Sequence, residues 1–247
     1  MRPIKVGPGP RPMIRRVIRK IRVLWRVAVG RDFLVKPVAR PKERFGSDSC
    51  GWYIMTTDIG RDSIIYSFGI GEDASFDTAL AERFGLTVHA FDPTPRSIEW
   101  IKQQAFSDRF VLHECGLSSF DGTASFNPPE NPDHVSHTLL NRPSTSDRAI
   151  SVPVKKLATI MKELGHARID VMKMDIEGAE YDVLEDISKC GIRPRQILVE
   201  FHHRFPDVGI TKTKEAIRMI RSIGYQLFHV SDNHEEFGFA LKKDVKP

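Results

Sequence analysis

The chain has 247 residues, enough for one α/β domain with a full core and an additional segment. Its three cysteines are too few and too scattered for a disulfide framework or a clustered zinc site, which favours reduced thiols in a cytoplasmic protein. Because no apolar run approaches the ~20 residues that cross a bilayer, neither a transmembrane helix nor a cleaved signal peptide is predicted.

The positive charge of the chain is concentrated near its N-terminus. Residues 1–45 carry 14 Lys or Arg and 2 acids, so the net charge is +12 there and −7 over the rest of the chain. Residues 1–12 are rich in Pro, Gly and Arg, which is typical of disorder. In residues 13–29, apolar side chains recur at helical spacing among basic ones, and this pattern predicts a basic amphipathic helix.

Two interpretations of the predicted helix at 13–29 stay open. The helix could associate peripherally with an anionic membrane surface, with Trp25 at the interface. It could also pack on the domain and expose its charges to water, because helical periodicity alone does not distinguish a lipid face from a protein face. Nucleic-acid binding by the same arginines is a third and weaker option, and no nucleic-acid partner is predicted, since no aromatic stacking platform or recognition module accompanies them.

After a Pro-containing linker at 37–49, predicted strands and helices alternate along the chain. This alternation predicts a mainly parallel sheet with helices on both faces, and the last two strands, joined by a short polar turn, predict an antiparallel hairpin at one edge. We therefore expect an α/β, Rossmann-like domain over residues 50–247, preceded by the 1–45 extension. Strands are predicted near 63–68, 87–92, 109–115, 150–154, 169–174, 195–201, 225–230 and 236–242, and helices near 76–85, 96–106, 155–164, 179–189 and 211–223.

The alternation is interrupted between residues 120 and 149. Pro and Asn residues at 127–132 and Ser and Thr residues at 144–147 predict a long loop or a small hairpin. Such insertions often cover binding sites, so this one is a candidate lid. His134 and His137 within it are interpreted as loop surface.

Residues 63–77 and 88–92 predict a strand, a glycine turn, a helix start and a second strand that ends in a carboxylate. Gly69 and Gly71 allow the backbone to turn tightly and to approach a ligand. Asp92, 21 residues after Gly71, can accept hydrogen bonds from ribose hydroxyls. The stretch therefore predicts a site for a nucleoside cofactor.

Two cofactor classes fit this turn. A dinucleotide places a pyrophosphate at the helix N-terminus, where Glu72 and Asp73 would repel it, whereas S-adenosylmethionine brings positive sulfonium and ammonium groups. The acids therefore favour S-adenosylmethionine. The spacing of Gly69, Gly71 and Ala74 also satisfies the loose dinucleotide pattern, so an NAD-dependent oxidoreductase stays an alternative. A non-catalytic, membrane-attached module with a nucleoside pocket is a third hypothesis.

Four segments together resemble the FkbM-like family of S-adenosylmethionine-dependent methyltransferases, over roughly residues 50–242. They are Tyr66–Gly71 with Ser75 and Phe76, Phe91–Thr94, Lys173–Glu180 and Val199–His202. The resemblance implies a seven-stranded class I methyltransferase sheet, S-adenosylmethionine as donor, and a hydroxyl acceptor on a sugar, glycan or small natural product. The candidate cofactor-binding residues are Phe68, Gly69, Gly71, Ser75, Phe76, Asp92, Pro93, Thr94, Gly116, Leu117 and Asp175.

Candidate catalytic residues follow the strands at 169–174 and 195–201. A hydroxyl is a poor nucleophile until a base begins to take its proton, and His202 and His203 have a suitable ordinary pKa. Asp175 and Glu177 are candidate partners or alternative bases. Because successive strand residues point to opposite faces, one histidine is expected in the pocket, and His202 is favoured because Glu200 shares its face.

These polar residues also have structural interpretations. Asp175 and Glu177 could cap the helix that follows them, and Glu180 is expected in its first turn. Lys173, inside a strand, predicts an ion pair with an acid that the sequence does not identify. Oxygen and nitrogen donors lie on adjacent strand ends, but without a spacing such as His-x-x-x-His no metal site is predicted.

Overall fold

A computed structural model of the protein describes residues 12–127, 149–205 and 207–243, with the backbone alone for residues 12–17 and 19. Its helices are α1 (Pro12–Ala28), α2 (Ser75–Phe84), α3 (Pro95–Lys102), α4 (Leu157–Leu164), α5 (Glu180–Cys190) and α6 (Gly209–Ser222). Its strands are β1 (Glu43–Phe45), β2 (Trp52–Ile54), β3 (Ile65–Phe68), β4 (Val88–Phe91), β5 (Phe110–His113), β6 (Gly116–Leu117), β7 (Gly122–Phe126), β8 (Ile150–Lys155), β9 (Val171–Met174), β10 (Gln196–Glu200), β11 (Tyr225–Val230) and β12 (Glu236–Leu241).

The main sheet has seven strands in the order β11-β12-β10-β9-β3-β4-β5. The pairs from β10 to β5 are parallel, whereas β12 runs antiparallel to both of its neighbours. This confirms the predicted seven-stranded, mainly parallel α/β sheet with an antiparallel C-terminal hairpin. The hairpin enters the sheet through its second strand, so β12 lies between β10 and β11, and β11 is the edge strand.

The central strands are buried on both faces because helices cover the sheet from both sides. All four residues of β3 and of β9 are buried, which explains why their sequences are mostly apolar and do not alternate with exposed polar residues; Ser67 and Lys173 are the polar residues of these strands. One core cluster joins the sheet to α4, α5 and α6, and a second joins it to α2 and the β1-β2 hairpin. Burial of both faces therefore fixes the ends of β3 and β9, from which the turns of the candidate site emerge.

A separate three-stranded sheet of order β6-β8-β7 lies beyond the end of β5. The predicted strand at 150–154 belongs to this sheet and not to the main one. Antiparallel pairing of β7 with β8 gives the ends of the predicted insertion the geometry of a hairpin. Residues 128–148, including His134 and His137, lie outside the described residues, so the predicted lid is not tested.

The predicted linker at 37–49 is wrong in part, because residues 43–45 form β1. This strand pairs antiparallel with β2, and Phe45 and Trp52 are buried against α2 in the second core cluster. Each strand has only three residues, too few for the alternation of polar and apolar side chains that identifies a strand in a sequence. The hairpin holds the loop between its strands close to the start of α2.

Part of the N-terminal extension is attached to the larger unit. Asp32 and Phe33 are buried; the Asp32 carboxylate accepts a hydrogen bond from Arg204 at 2.9 Å, and the Phe33 ring stacks on that of Phe237. The predicted division between 1–45 and 50–247 stays a prediction. Among the described residues, no helix combines the length and apolarity required to cross a membrane.

Lys173 and Asp77 form a buried charged region between β9 and α2. The Lys173 ammonium group donates to the carbonyls of Phe68, at 3.3 Å, and Gly69. Asp77 is 2% exposed, and burial raises its pKa to about 6 although the charge of Lys173 opposes the shift. The acid that interacts with Lys173 is therefore Asp77, and the interaction is electrostatic. Backbone carbonyls accept the hydrogen bonds of the Lys173 ammonium group.

We expect Asp77→Asn to flatten the pH dependence of stability between pH 4 and pH 6. The folded state raises the pKa of Asp77, so the stabilisation from its proton is complete below the unfolded pKa and is lost as the pH rises towards about 6. Up to about 3 kcal/mol of unfolding free energy should be lost in the wild type and retained in the variant. Urea denaturation at pH 4 and pH 7 measures this difference, with the exposed Asp58→Asn as control. Equal pH dependence in the wild type and Asp77→Asn would contradict it.

Candidate functional site

A cavity of about 430 Å³ opens at the carboxyl ends of β3, β4 and β9. The chain order reverses there, because β4 follows on one side of β3 and β9 returns on the other, which is where open α/β sheets bind ligands. The walls come from the glycine turn, the segment after β4, the three-stranded sheet, the turn after β9 and the β1-β2 loop. The lining residues are Ser49, Cys50, Phe68–Asp73, Phe91–Thr94, Ser97, Gly116, Leu117, Phe126 and Asp175–Glu177.

Most of the predicted cofactor-binding residues line this cavity, but Ser75 and Phe76 do not. Ser75 is the first residue of α2, and its hydroxyl accepts a hydrogen bond from the Ser47 N–H at 2.7 Å. Phe76 is 2% exposed and belongs to the apolar cluster under the β1-β2 hairpin. Both residues therefore connect the start of α2 to the β1-β2 hairpin and do not face the cavity. Those that line the wall are Phe68, Gly69, Gly71, Asp92, Pro93, Thr94, Gly116, Leu117 and Asp175.

The glycine turn is held in place by Asp92. One oxygen of its carboxylate accepts the N–H groups of Ile70, at 3.0 Å, and Gly71, at 2.9 Å. The other accepts the N–H and the hydroxyl of Thr94, at 2.9 and 2.6 Å. An ionised carboxylate has about four lone-pair positions, and these four hydrogen bonds occupy them. Asp92, which was predicted to accept hydrogen bonds from a ribose, therefore stabilises the glycine turn in the first place.

Gly69 meets the carbonyl of Asp175 where the turns after β3 and β9 come together. Its φ of +77° lies in the left-handed region, and a Cβ atom added to it would lie 1.7 Å from the Asp175 oxygen. Only glycine fits this position, for both conformational and steric reasons. The close approach brings the acidic turn after β9 into direct contact with the glycine turn after β3.

The two acids of the glycine turn are less available to a ligand than predicted. Glu72 forms an ion pair with Arg96 at 2.7 Å. Asp73 accepts the N–H of Ser75 at 2.8 Å and the hydroxyl of Ser47 at 2.7 Å; burial raises its pKa, but these hydrogen bonds outweigh burial and lower it overall. The predicted repulsion of a pyrophosphate by these two residues is therefore weakened. Asp175 and Glu177 provide negative charge on the opposite wall.

His202 lies among carboxylates beside this wall. Its Nδ1 is 3.0 Å from Glu180, and its Nε2 is 3.3 Å from Glu177 and 3.8 Å from Asp175. Glu180 is fully buried and also accepts the backbone N–H groups of Ile176 and Gly178. With Glu180 ionised, Nδ1–H donates to it, and Nε2 is presented to Glu177 and Asp175.

The carboxylates change the proton affinity of this cluster. Burial disfavours a positive imidazole, but the charges of Glu180, Glu177 and Asp175 outweigh burial and raise the pKa of His202 well above its usual value. Burial and the charge of Asp175 raise the pKa of Glu200 to about 9. At neutral pH the cluster therefore holds protons on His202 and on Glu200. An added positive charge nearby would favour their release.

His203 points away from this cluster and does not line the cavity. Its Nε2 lies 3.7 Å from an Asp32 oxygen, and its ring meets the Phe33 ring edge-on at 6.0 Å. His202 and His203, which are adjacent in the sequence after β10, therefore face different sides of the sheet. Of the two candidate bases, the structure places His202 with the predicted partners Asp175 and Glu177, and His203 with the N-terminal segment.

Three of these groups could hold a divalent cation, although no metal site was predicted. Asp175, Glu200 and His202 each offer a ligand atom, and these atoms lie within 4.8 Å of one another. Two carboxylate oxygens and one imidazole nitrogen suit several divalent transition metals. Because the donors come from two strand ends, no local spacing in the sequence identifies the set.

The sequence did not identify two other contributions to the site. Glu180 was expected only as a first-turn residue of α5, and its contact with His202 across 22 positions has no local signal. Ser49 and Cys50 fell at the edge of the predicted linker, and they reach the cavity wall because the β1-β2 hairpin turns their loop towards it.

Comparison with known proteins assigns the family. A family model described as the methyltransferase FkbM domain matches residues 58–227, more than half of the chain. The protein belongs to the FkbM methyltransferase domain family. This confirms the resemblance noted in the sequence, and the matched range contains β3, the glycine turn, Asp92, the β9 turn and His202.

Several curated methyltransferases are similar to this FkbM-family chain. It is 26% identical over 192 residues to "Probable methyltransferase-like protein 24" of Rattus norvegicus, covering 73% of this chain and 46% of the relative, so it spans less than half of that protein. It is 22% identical to "31-O-demethyl-FK506 methyltransferase FkbM" of Streptomyces tacrolimicus, covering 71% and 77% of the two chains. A crystal structure of methyltransferase FkbM from Methylobacillus flagellatus KT aligns with a TM-score of 0.45 at 16% identity, covering 74% and 44%.

We expect Gly69→Ala to destabilise the fold more than an alanine at an open glycine. The new Cβ would collide with the Asp175 carbonyl, so the two turns must separate or the backbone must distort, at a cost of about 2–4 kcal/mol. Gly60→Ala is the matched control, since no atom lies within 4 Å of its Cβ position. Urea denaturation compares the two variants. Equal unfolding free energies would show that the two turns are not in close contact.

Proposed function

We propose that this FkbM-family protein transfers a methyl group from S-adenosylmethionine to a hydroxyl group of a sugar, glycan or small natural product. The observation that carries the proposal is the position of His202, which Glu180 holds beside Asp175 and Glu177, two residues that line the cavity. Family membership supports methyl transfer. The donor and the acceptor are inferred from the residues around the cavity.

The residues present fit an adenosyl sulfonium cofactor. The cavity of about 430 Å³ falls within the range of about 300–1,000 Å³ that is typical of small-molecule sites. Gly69 and Gly71 give backbone access, and a ribose hydroxyl would share an Asp92 oxygen with the N–H groups or the Thr94 hydroxyl that already donate to it. Asp175 and Glu177 complement positive charge. When bound, S-adenosylmethionine would supply an electrophilic methyl group.

His202 is the residue best placed to take the acceptor proton. Glu180 fixes its Nδ1, and its Nε2 faces Glu177 at 3.3 Å, so an acceptor hydroxyl would replace Glu177 as the partner of Nε2. The surrounding carboxylates raise the pKa of His202, so a positive charge in the cavity would offset them and favour the neutral imidazole that a base requires. Binding of the positively charged donor would thus favour the neutral form of His202, the form that can accept a proton.

Two relatives support oxygen as the acceptor atom. The protein from Streptomyces tacrolimicus is named a 31-O-demethyl-FK506 methyltransferase, and a relative from Sinorhizobium fredii, 25% identical over 154 residues, is named "2-O-methyltransferase NoeI". Those names describe the relatives alone. For this chain, a hydroxyl acceptor agrees with a histidine base, because a hydroxyl requires deprotonation during transfer.

Calorimetry should show binding of S-adenosylmethionine and of its demethylated product, and no binding of NAD. The positive charges of the methyl donor match Asp175 and Glu177, whereas NAD would bring phosphates to the same acidic wall. Asp92→Asn is expected to weaken binding by about tenfold or more, since it disturbs the N–H groups of the turn. Saturable binding of NAD alone would favour the oxidoreductase alternative and overturn the proposal.

His202→Ala should lower kcat by about 100-fold or more and leave binding of S-adenosylmethionine within about threefold of the wild type. The imidazole is the group placed to take the proton, but it does not line the donor cavity. His203→Ala, at the adjacent position, is the matched control and should retain most of the turnover. The assay is transfer of a labelled methyl group to hydroxyl compounds from cell extract. Full activity of both variants would exclude a histidine base.

A further inference from the structure

Helix α1 exposes its apolar side chains. Ile21, Leu24 and Trp25 are 57–61% exposed, whereas Val23 between them is only 4% exposed. At 100° per residue the exposed three fall on one side of the helix, and Val23 falls almost opposite their centre. The helix therefore rests on the protein with its other side and turns its apolar face outward, the reverse of a helix that packs on a core.

The charged residues of α1 and of the sequence next to it are all basic. Residues 1–31 contain ten Lys or Arg and no Asp or Glu. Lys20 and Arg22 are exposed and lie at the two edges of the apolar face in the helical projection. An apolar face with basic edges complements a surface that is both apolar and negatively charged.

The acid that follows the helix does not cancel this charge at the surface. Asp32 is buried and accepts hydrogen bonds from the Arg204 guanidinium at 2.9 Å and the Phe33 N–H at 2.8 Å. Phe33 belongs to the main core cluster. Asp32 and Phe33 thus attach the segment directly after α1 to the domain, and this attachment holds the C-terminal end of the helix in place.

We propose that α1 binds in the plane of an anionic lipid bilayer. Ile21, Leu24 and Trp25 would enter the boundary between headgroups and acyl chains, and Lys20 and Arg22 would meet lipid phosphates. With 17 residues the helix is about 25 Å long, and its charges are incompatible with a spanning orientation. A lipid surface satisfies both the apolar face and the basic edges.

Two other occupants fit less well. A second copy of the chain would bring the same basic edge residues, Lys20 and Arg22, against this face. A nucleic acid would pair with the basic edges but would leave Ile21 and Leu24 without apolar contacts. Charge and apolarity together therefore favour the lipid surface. The proposal is independent of the proposed methyl transfer, because α1 does not line the cavity.

Vesicle co-sedimentation of the full chain tests the proposal. Vesicles of phosphatidylcholine are compared with vesicles that contain about 30% phosphatidylglycerol, at low and high salt. We expect binding to the anionic vesicles that is at least about tenfold tighter than to the neutral ones and that weakens at high salt. Absence of binding, or equal binding to both vesicle types, would overturn the proposal.

Matched variants separate the apolar and the basic contributions. The double variant Leu24→Glu, Trp25→Glu should abolish sedimentation, and Arg22→Glu, Arg26→Glu should weaken it about 30-fold or more. The controls are Phe120→Glu, an exposed apolar residue elsewhere, and Lys212→Glu, Arg218→Glu, an exposed basic pair on α6; both should bind like the wild type. Equal loss in variants and controls would show nonspecific adsorption and overturn the assignment to α1.

Two further measurements address the other occupants. Sedimentation velocity without lipid should show no self-association through this face, and anionic vesicles should displace an unrelated RNA oligonucleotide from the protein. Self-association lost in Leu24→Glu, Trp25→Glu without vesicle binding, or RNA binding that vesicles leave intact, would overturn the proposal. Binding of S-adenosylmethionine by the same variants should be unchanged, so failure of vesicle binding is distinguishable from failure of the proposed enzyme function.

Discussion

The close approach of two turns at the centre of the sheet determines the geometry of the site. β3 and β9 are neighbours, the Asp175 N–H donates to the Phe68 carbonyl at 3.1 Å, and Gly69 lies against the Asp175 carbonyl without a Cβ between them. The Lys173 ammonium group donates hydrogen bonds to the carbonyls of Phe68 and Gly69 and so fixes the end of β3 relative to β9. A turn suited to a nucleoside and a turn rich in acids thereby become adjacent walls of one cavity.

The acids around this contact divide into two groups. Asp92 and Glu180 have carboxylates that accept several backbone N–H groups, so they stabilise the turns after β3 and β9. Asp175, Glu177 and Glu200 surround His202, and the charges of Glu180, Glu177 and Asp175 favour its protonated form. The left-handed φ of +55° at Glu177 shows that the backbone accepts an unfavourable conformation to keep this arrangement. Structural carboxylates thus hold the reactive cluster in position.

Much of the fold followed from local patterns, whereas the site depended on contacts that no local pattern describes. Buried strands such as β3 and β9 read as short apolar runs, and the glycine turn was recognisable from its spacing, so the sheet and most of the cavity wall were predicted. Ser75 and Phe76 shared the same motif, but the first turn of α2 directs them away from the cavity. The pairing of Glu180 with His202 requires the strand order itself, which places β10 beside β9.

Alternation at the end of β10 connects the site with the N-terminal segment. His202 faces the acidic cluster, whereas His203 and Arg204 face Asp32 on the other side. Burial raises the pKa of the Asp32 carboxyl, but the rings of His203 and His234, each 3.7 Å away, and the hydrogen bonds from Arg204 and the Phe33 N–H outweigh burial and hold it below its usual range. Asp32 therefore stays ionised and bound to Arg204 at neutral pH. The segment that carries α1 is thus anchored to the same strand end that carries His202, although the two histidines of that end face different sides.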